Sequence, residues 1–365
     1  MIRIIQGLGS ARPDNRGGNM VYFCGMSPSR KCILAIESSC DDTSAAVICD
    51  GVILSNVIAA QLIHADYGGI VPEVASRMHQ ENITLVVDSA LQKANVNLSE
   101  LDAVACTAGP GLLGSLTVGL NFAKAMALGL GLPFISVNHM RAHVLSHFID
   151  EPKPEFPFLN LTVSGGHTQI VLVKSYSEME VIGQTRDDAA GEAFDKSGKI
   201  LGLKYPAGPL IDKLAREGNP VYTFPIPQIA GYDFSFSGLK TAIMYFIRDQ
   251  KKVDPLFVDN HLHDICASIQ NTIVEILARK LLAASQAYNI REIGIAGGVA
   301  ANSGLRKRLK EMANENDWKI YFPAMQYCTD NAGMIAMAAY FQYKDGEFSS
   351  LDTAPYVGGC KRHRA

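Results

Sequence analysis

The 365-residue sequence has no C-x-x-C pair, no H-E-x-x-H segment and no apolar run long enough and clean enough to cross a bilayer. The first absence, with eight cysteines scattered in apolar strand-like stretches, argues for free thiols in a reducing compartment, no disulfide framework and no thiolate zinc knuckle. The second removes the helical metalloprotease motif: Met140 stands where the general-base Glu belongs, and Ala142 denies the inverted motif. The longest apolar stretch, Leu116 to Val137, is interrupted by Asn121 and Lys124 and broken by Gly129, Gly131 and Pro133, so it reads as a buried helix followed by a strand, with no membrane association. Net charge is small as well, −3 at neutral pH. Any nucleic-acid contact must then come from a local basic surface or a partner. The first thirty residues lack both periodicity and a secretory apolar core; Asp14 is their only acid, and Met26 is an alternative start. That composition fits a cytoplasmic protein with a short extension, a mitochondrial transit segment being the minor alternative.

What is present is an apolar fraction of 48% against 19% charged residues, enough for a sizeable core. Cys32 to Ile36 reads as a buried strand closed by the polar turn Glu37 to Thr43. Ala45 to Cys49, the turn Asp50-Gly51 and Val52 to Ala59 then read as a hairpin. The pattern recurs: strand Phe158 to Val163, small polar turn Ser164 to Thr168, strand Gln169 to Lys174, strand Met179 to Gly183. A repeated supersecondary unit with helical segments between (Val74 to Lys93, Leu113 to Leu128) and after it (Asp264 to Tyr288, Ala301 to Asn314, Asn331 to Tyr343) implies α/β layers in two halves with a cleft between them. The boundary falls at Glu151-Pro152-Lys153-Pro154.

Chemistry concentrates in a few places. His139 and His143, four apart, share one helix face and can grip one metal ion, given an anionic third ligand for which Asp330 is the candidate. Ser164-Gly165-Gly166 can turn backbone N–H groups toward an anion, with Ser38, Ser39 and Thr43 as the equivalent in the first copy. Gly297-Gly298 follows a strand and precedes a helix, a place for a base or phosphate, without the spacing of a dinucleotide fingerprint. Asp187 to Lys196 reads as a capped, solvated helix start, and Pro206 to Pro209 as a loop. The basic clusters Arg306 to Lys310 and Lys361 to Arg364 read as solvated surface.

Taken together, Ile36 to Thr43, Asn138 to His143, Val163 to Gln169, Gly191 to Lys196, Gly297 to Asn302 and Thr329-Asp330-Asn331 resemble, in order, the motifs of the tRNA N6-adenosine threonylcarbamoyltransferase (TsaD) family. The resemblance runs from about Cys32 to about Val357. It implies the actin-like/Hsp70 ATPase (ASKHA) fold: an extension over 1–31, one lobe over 32–155 to which 324–357 returns, a second lobe over 156–323 and a tail over 358–365. It implies one divalent metal on His139, His143 and Asp330, Fe²⁺ first with Zn²⁺ or Mg²⁺ as alternatives. Thr162, Val163, Ser164, Gly165 and Gly166 would line the phosphate and acyl group, Asp195, Gly208 and Asp212 the ribose side, and Asn302 the adenosine end. The implied substrates are threonylcarbamoyl-AMP and tRNA, and the implied partners a shorter paralogous subunit and a P-loop ATPase. Thr162 stands where archaeal members place a tyrosine, which resembles the bacterial branch. For the proton leaving the acceptor amine, Glu37 and Asp41 are the candidates. An actin-like kinase or ATPase is the alternative reading, and a non-enzymatic scaffold a third.

Overall fold

Six consecutive buried residues, Cys32 to Glu37, form the first strand and the middle of a sheet. The structure, a computed structural model, describes residues 30–358. Strand β1 (Cys32–Glu37) pairs antiparallel with β2 (Asp42–Cys49), which pairs antiparallel with β3 (Val52–Ala60). The β2–β3 turn is the expected one: Asp50 and Gly51 both take positive φ, +50° and +82°, matching the right-handed strand twist. On its other edge β1 runs parallel to β4 (Ala103–Gly109), and β4 to β5 (Phe134–Asn138). Both faces of β1 are covered. Leu34 and Ile36 point into a core with Ile83, Val86 and Leu120, while Ile33 and Ala35 point into one with Ile335 and Met337.

The second sheet repeats the arrangement. β6 (Phe158–Val163) is antiparallel to β7 (Thr168–Val173), β7 to β8 (Met179–Gln184), and β6 is parallel to β9 (Glu292–Ala296), which is parallel to β10 (Lys319–Tyr321). The orders β3-β2-β1-β4-β5 and β8-β7-β6-β9-β10 are the same topology written twice. A short helix α1 (His64–Tyr67) leads into α2 (Pro72–Ala94), which packs on β2, β3 and α3 (Leu113–Leu130). α3 is long and apolar enough to cross a membrane by length and composition, but Leu116, Leu120, Ala123 and Ala127 bury one of its faces in the core. It is followed by β5, as the sequence implied. α4 (His139–Leu145) leaves β5 directly.

The second half adds α5 (Ala190–Ile200), α6 (Ala207–Ala215), α7 (Ser237–Val253) and α8 (Phe257–Tyr288) between β8 and β9, then α9 (Ser303–Asn316). The last helix, α10 (Ala332–Asp345), returns to the first sheet and packs across β1, β2, β3 and α4. Phe158, Val171 and Val173 of the second sheet share a core with Phe148 and Ile335, so the halves are welded on one side.

Three expectations need correction. Cys32 and Cys49 form a disulfide; they are direct partners across the β1–β2 ladder, a pairing that a separation of 17 residues does not announce. Cys40, Cys106, Cys266 and Cys328 are free thiols. Residues 206–209 do not form a loop: Pro206 caps α6 and Pro209 sits in its first turn, where no intrahelical N–H is needed. Asp187 does not cap the helix after it; its carboxylate accepts from the backbone N–H of Phe236 and Ser237 at the start of α7. The N-terminal extension, Met26, Cys24, Cys360 and the Lys361 to Arg364 cluster lie outside the described residues.

Candidate metal centre and anion bend

The site begins at the seam between β5 and α4. Asn138 ends the strand and caps the helix, its Oδ1 accepting from Arg141 N at 2.9 Å. That places His139 and His143 one turn apart on the buried face, 5% and 0% exposed, with ring centroids 4.7 Å apart. Asp330 arrives from the other end of the chain. Asn331 caps α10 by accepting from Met334 N at 3.0 Å, which fixes the preceding residue. Asp330 Oδ1 lies 3.4 Å from His139 Nε2 and 3.3 Å from His143 Nε2. One ligand atom from each of the three residues lies within 4.8 Å of the others, the one such group among the described residues.

These residues fit a cation. The approach of His143 to Asp330 lacks hydrogen-bond direction, so both ring nitrogens of this fully buried histidine go without a hydrogen-bond partner. An orphaned buried nitrogen costs about 1–3 kcal/mol, which a bound metal removes. Electrostatics agree. Burial opposes charge on His139, but Asp330 and then Glu37 outweigh it and raise the imidazole to about 10. Burial would lift Asp330, yet the charge of His139 holds its carboxyl well below the usual range. Burial, with His139 beside it, keeps His143 low and hence neutral. One proton on His139 thus occupies the place of positive charge that a metal would take.

Glu37 stands behind His139. It is fully buried, its Oε2 accepting from His139 Nδ1–H at 3.1 Å and from Thr107 Oγ–H at 2.6 Å, its Oε1 accepting from Ser39 N–H. A carboxylate on Nδ1 leaves Nε2 to face the ligand position. Glu37 therefore faces His139 and not the cleft. Asp41, the other candidate proton acceptor, lines the cleft. Its neighbour Asp42 is pushed up to about 7 by burial and by Asp41 and Asp330.

A cavity of about 550 Å³ joins the cluster to the second half. Ser164, Gly165, Gly166 and His167 line it opposite His139 and Asp330. The bend is held by Ser164 N–H to His167 O at 2.8 Å and His167 N–H to Ser164 Oγ at 3.1 Å. A Cβ on Gly165 or Gly166 would meet nothing, so both backbones lie open to a ligand. Gly191, at the start of α5, backs the bend: a Cβ there would stand 2.6 Å from Ser164 O and 2.8 Å from Gly165 Cα. Thr162 and Val163 are buried in β6 and do not line this cavity; Thr162 Oγ1 takes a hydrogen bond from Asn160.

The remaining candidates lie farther along the second half. Asp195 Oδ1 accepts from the N–H groups of Ala207 and Gly208 at 2.7 and 3.3 Å, at the head of α6. Asp212, one turn on, holds Ser303 N–H and Oγ–H and pairs with Arg216 at 2.7 Å. Asn302 caps α9 and donates to Gln270 at 2.8 Å. Of the basic cluster on α9, Arg306 stacks on Phe322 and Arg308 pairs with Glu275. Sequence reasoning missed Thr107, Ser39 as a partner of His139, and the backing role of Gly191; only Gly191 had a signal, as a glycine at a helix start.

Most of the chain carries the pattern. A model of the family described as tRNA N6-adenosine threonylcarbamoyltransferase matches residues 52–337. The chain belongs to that family. The tRNA N6-adenosine threonylcarbamoyltransferase of Cytophaga hutchinsonii is 56% identical over 324 residues, 88% of this chain and 94% of that one. The protein of the same name from Kosmotoga olearia is 48% identical, over 89% of this chain and 98% of its own. Solved structures share the fold at low identity. Component A of the Acidaminococcus fermentans (R)-2-hydroxyglutaryl-CoA dehydratase gives a TM-score of 0.52 at 15% identity, covering 87% of this chain and 98% of that one. Full-length HypF, in its phosphate- and nucleotide-bound form, gives 0.57 at 16% identity, over 88% of this chain and 47% of that one. The fold of this family member is the two-lobed actin-like/Hsp70 one, its repeated unit being the strand order described above.

Proposed function

We infer that this chain is a tRNA-modifying transferase. It moves the threonylcarbamoyl group of threonylcarbamoyl-AMP to N6 of the adenine 3′ of the anticodon, in tRNAs reading codons that begin with A. In the reaction N6 attacks the carbamoyl carbon, the bond from that carbon to the phosphate oxygen breaks, AMP leaves and the amine loses a proton. The observation that carries this reading is the cluster of His139, His143 and Asp330, two of which, His139 and Asp330, line one cavity with the Gly165–Gly166 bend, in a chain of this family.

His139, His143 and Asp330 would hold the metal. Two imidazoles and one carboxylate suit Fe²⁺ and then Zn²⁺ better than Mg²⁺, which prefers oxygen. When bound, the ion supplies Lewis-acid stabilisation of the phosphate and acyl oxygens. The protein's own groups do the rest. Gly165 and Gly166, whose backbones lie open, would offer N–H dipoles to the developing negative charge, and the Ser164 hydrogen bonds would stiffen that bend. Asp195 and Gly208, with Asp212 and Asn302 beyond them, would take the ribose and adenosine of the donor, Asp212 and Asn302 by exchanging their present internal hydrogen bonds. Asp41, which lines the cavity, would accept the amine proton, Glu37 being buried behind His139.

The lobes divide as 32–155 with 324–357, and 156–323. A shorter paralogous subunit and a P-loop ATPase act with this chain, in the cytoplasm; the outer faces of α2 and α3, with Arg77, Leu85, Leu113 and Leu128 exposed, suit the paralogous subunit. An actin-like ATPase holds Mg²⁺ through carboxylates and water and has no use for two buried imidazoles, so that alternative is not favoured. The decisive experiment supplies threonylcarbamoyl-AMP and unmodified tRNA and seeks the modified adenosine by mass spectrometry. No modified nucleoside with the complete partner set would defeat the reading.

A further inference from the structure

Outward from the Gly165–Gly166 bend, the cavity lined by His139 and Asp330 continues into a bay of about 850 Å³. The two share Cys40, Ile70, Gly165, Gly166 and Tyr205. One wall of the bay is the segment 65–70 following β3; the other is α5 with residues 203–207. Three lysines edge it, and pairing disposes of one: Lys196 Nζ lies 2.6 Å from Asp188 and 2.7 Å from Glu192. Lys199 and Lys204 are exposed and have no carboxylate partner among the described residues. Three carboxylates line the bay as well: Glu192 is taken up by Lys196, Asp195 accepts from Ala207 and Gly208 N–H, and Asp66 is exposed beside Tyr67. On the opposite lip Tyr67 leaves 59% of its surface bare, and Tyr205 stands where bay and metal cavity meet.

Unpaired cations beside an exposed aromatic ring are what a single-stranded nucleic acid segment needs: lysines for phosphates, a ring on which an unstacked base can lie. We propose that this bay receives the anticodon loop of tRNA, with Lys199 and Lys204 against its phosphates and Tyr67 against a loop base, the acceptor adenine passing Tyr205 to the metal cavity. The proposal rests on the transferase reading and adds to it the face by which the acceptor arrives.

Filter binding of unmodified tRNA to the full chain over a series of salt concentrations tests it. Loss of two phosphate contacts in the double variant Lys199→Ala, Lys204→Ala should lower the slope of log K against log salt by about 1.4, at roughly 0.7 per contact on a single strand. Tyr67→Ala should weaken binding about tenfold with the slope unchanged. Affinities for AMP and for the metal should stay at the wild-type level in all variants. A double variant with the wild-type slope overturns the proposal. So does a loss of AMP affinity with tRNA binding intact, which would give the lysines to the donor nucleotide. A wild-type chain that binds no tRNA also overturns the proposal, whereas the transferase reading itself falls only if the chain with its complete partner set yields no modified nucleoside.

Discussion

Replacing Glu37 by Gln probes the support behind the proposed metal ligands. Three donors converge on this fully buried carboxylate: Ser39 N–H, Thr107 Oγ–H at 2.6 Å and His139 Nδ1–H at 3.1 Å. An amide of the same shape keeps one acceptor oxygen and turns an NH₂ toward a donor. One buried donor loses its partner, about 1–3 kcal/mol, and the bond to His139 loses its charge assistance, about 1 kcal/mol more. The metal-free protein should lose about 2–4 kcal/mol of stability. The imidazole, no longer held to one tautomer and orientation, should bind the ion roughly 10- to 100-fold more weakly. Chelator competition gives the affinity and denaturant unfolding gives the stability. A folded Glu37→Gln protein with metal affinity within about twofold of wild type would refute the positioning role, since losing the carboxylate that orients a ligand histidine ordinarily costs more. Thr107→Val, which removes one donor and leaves the carboxylate, should produce the same change at smaller size.

Stability of the metal-free protein should depend on pH through His139. Its folded value near 10 exceeds the ordinary value of 6.5, so its contribution is complete below about pH 6.5 and is lost as pH rises through 10, at about 1.4 kcal/mol per unit. Saturating metal displaces that proton and should flatten the slope in urea unfolding at pH 6.5, 8 and 9.5; equal slopes with and without metal would count against the shared site. Gly191→Ala pushes a methyl against the backbone of Ser164 and Gly165, so calorimetry should find weaker binding of the donor nucleotide with metal affinity intact. Arg77→Glu and Leu85→Asp on the outer face of α2 should weaken assembly with the paralogous subunit in size-exclusion chromatography and leave the melting temperature of the isolated chain within a few degrees.

The repeated unit was legible because its strands are short apolar runs bounded by polar turns, and Cys32–Glu37, Phe158–Val163 and Glu292–Ala296 emerged within a residue of where the pattern puts them. The i, i+4 histidines were legible because a helix turns every 3.6 residues. Asp330 was a candidate third ligand as a carboxylate in a polar turn at a helix start, and the family resemblance implied it too; spacing did not, since nothing local ties residue 143 to residue 330. α6 was hidden by Pro206 and Pro209, which punctuate loops more often than they open helices. α7 was passed over, although buried Leu239, Ile243 and Ile247 keep a helical period, because charged and exposed residues interrupt it. The role of Glu37 was invisible: a carboxylate after a strand looks the same whether it faces a substrate or a buried imidazole.

Anomalous diffraction at the iron edge, on crystals grown with Fe²⁺ under anaerobic conditions, is the most direct measurement. The expected result is one peak in the cavity between the halves, about 2.0–2.2 Å from a nitrogen of His139, a nitrogen of His143 and an oxygen of Asp330. A peak elsewhere on the chain, with those three side chains unbridged, would contradict it.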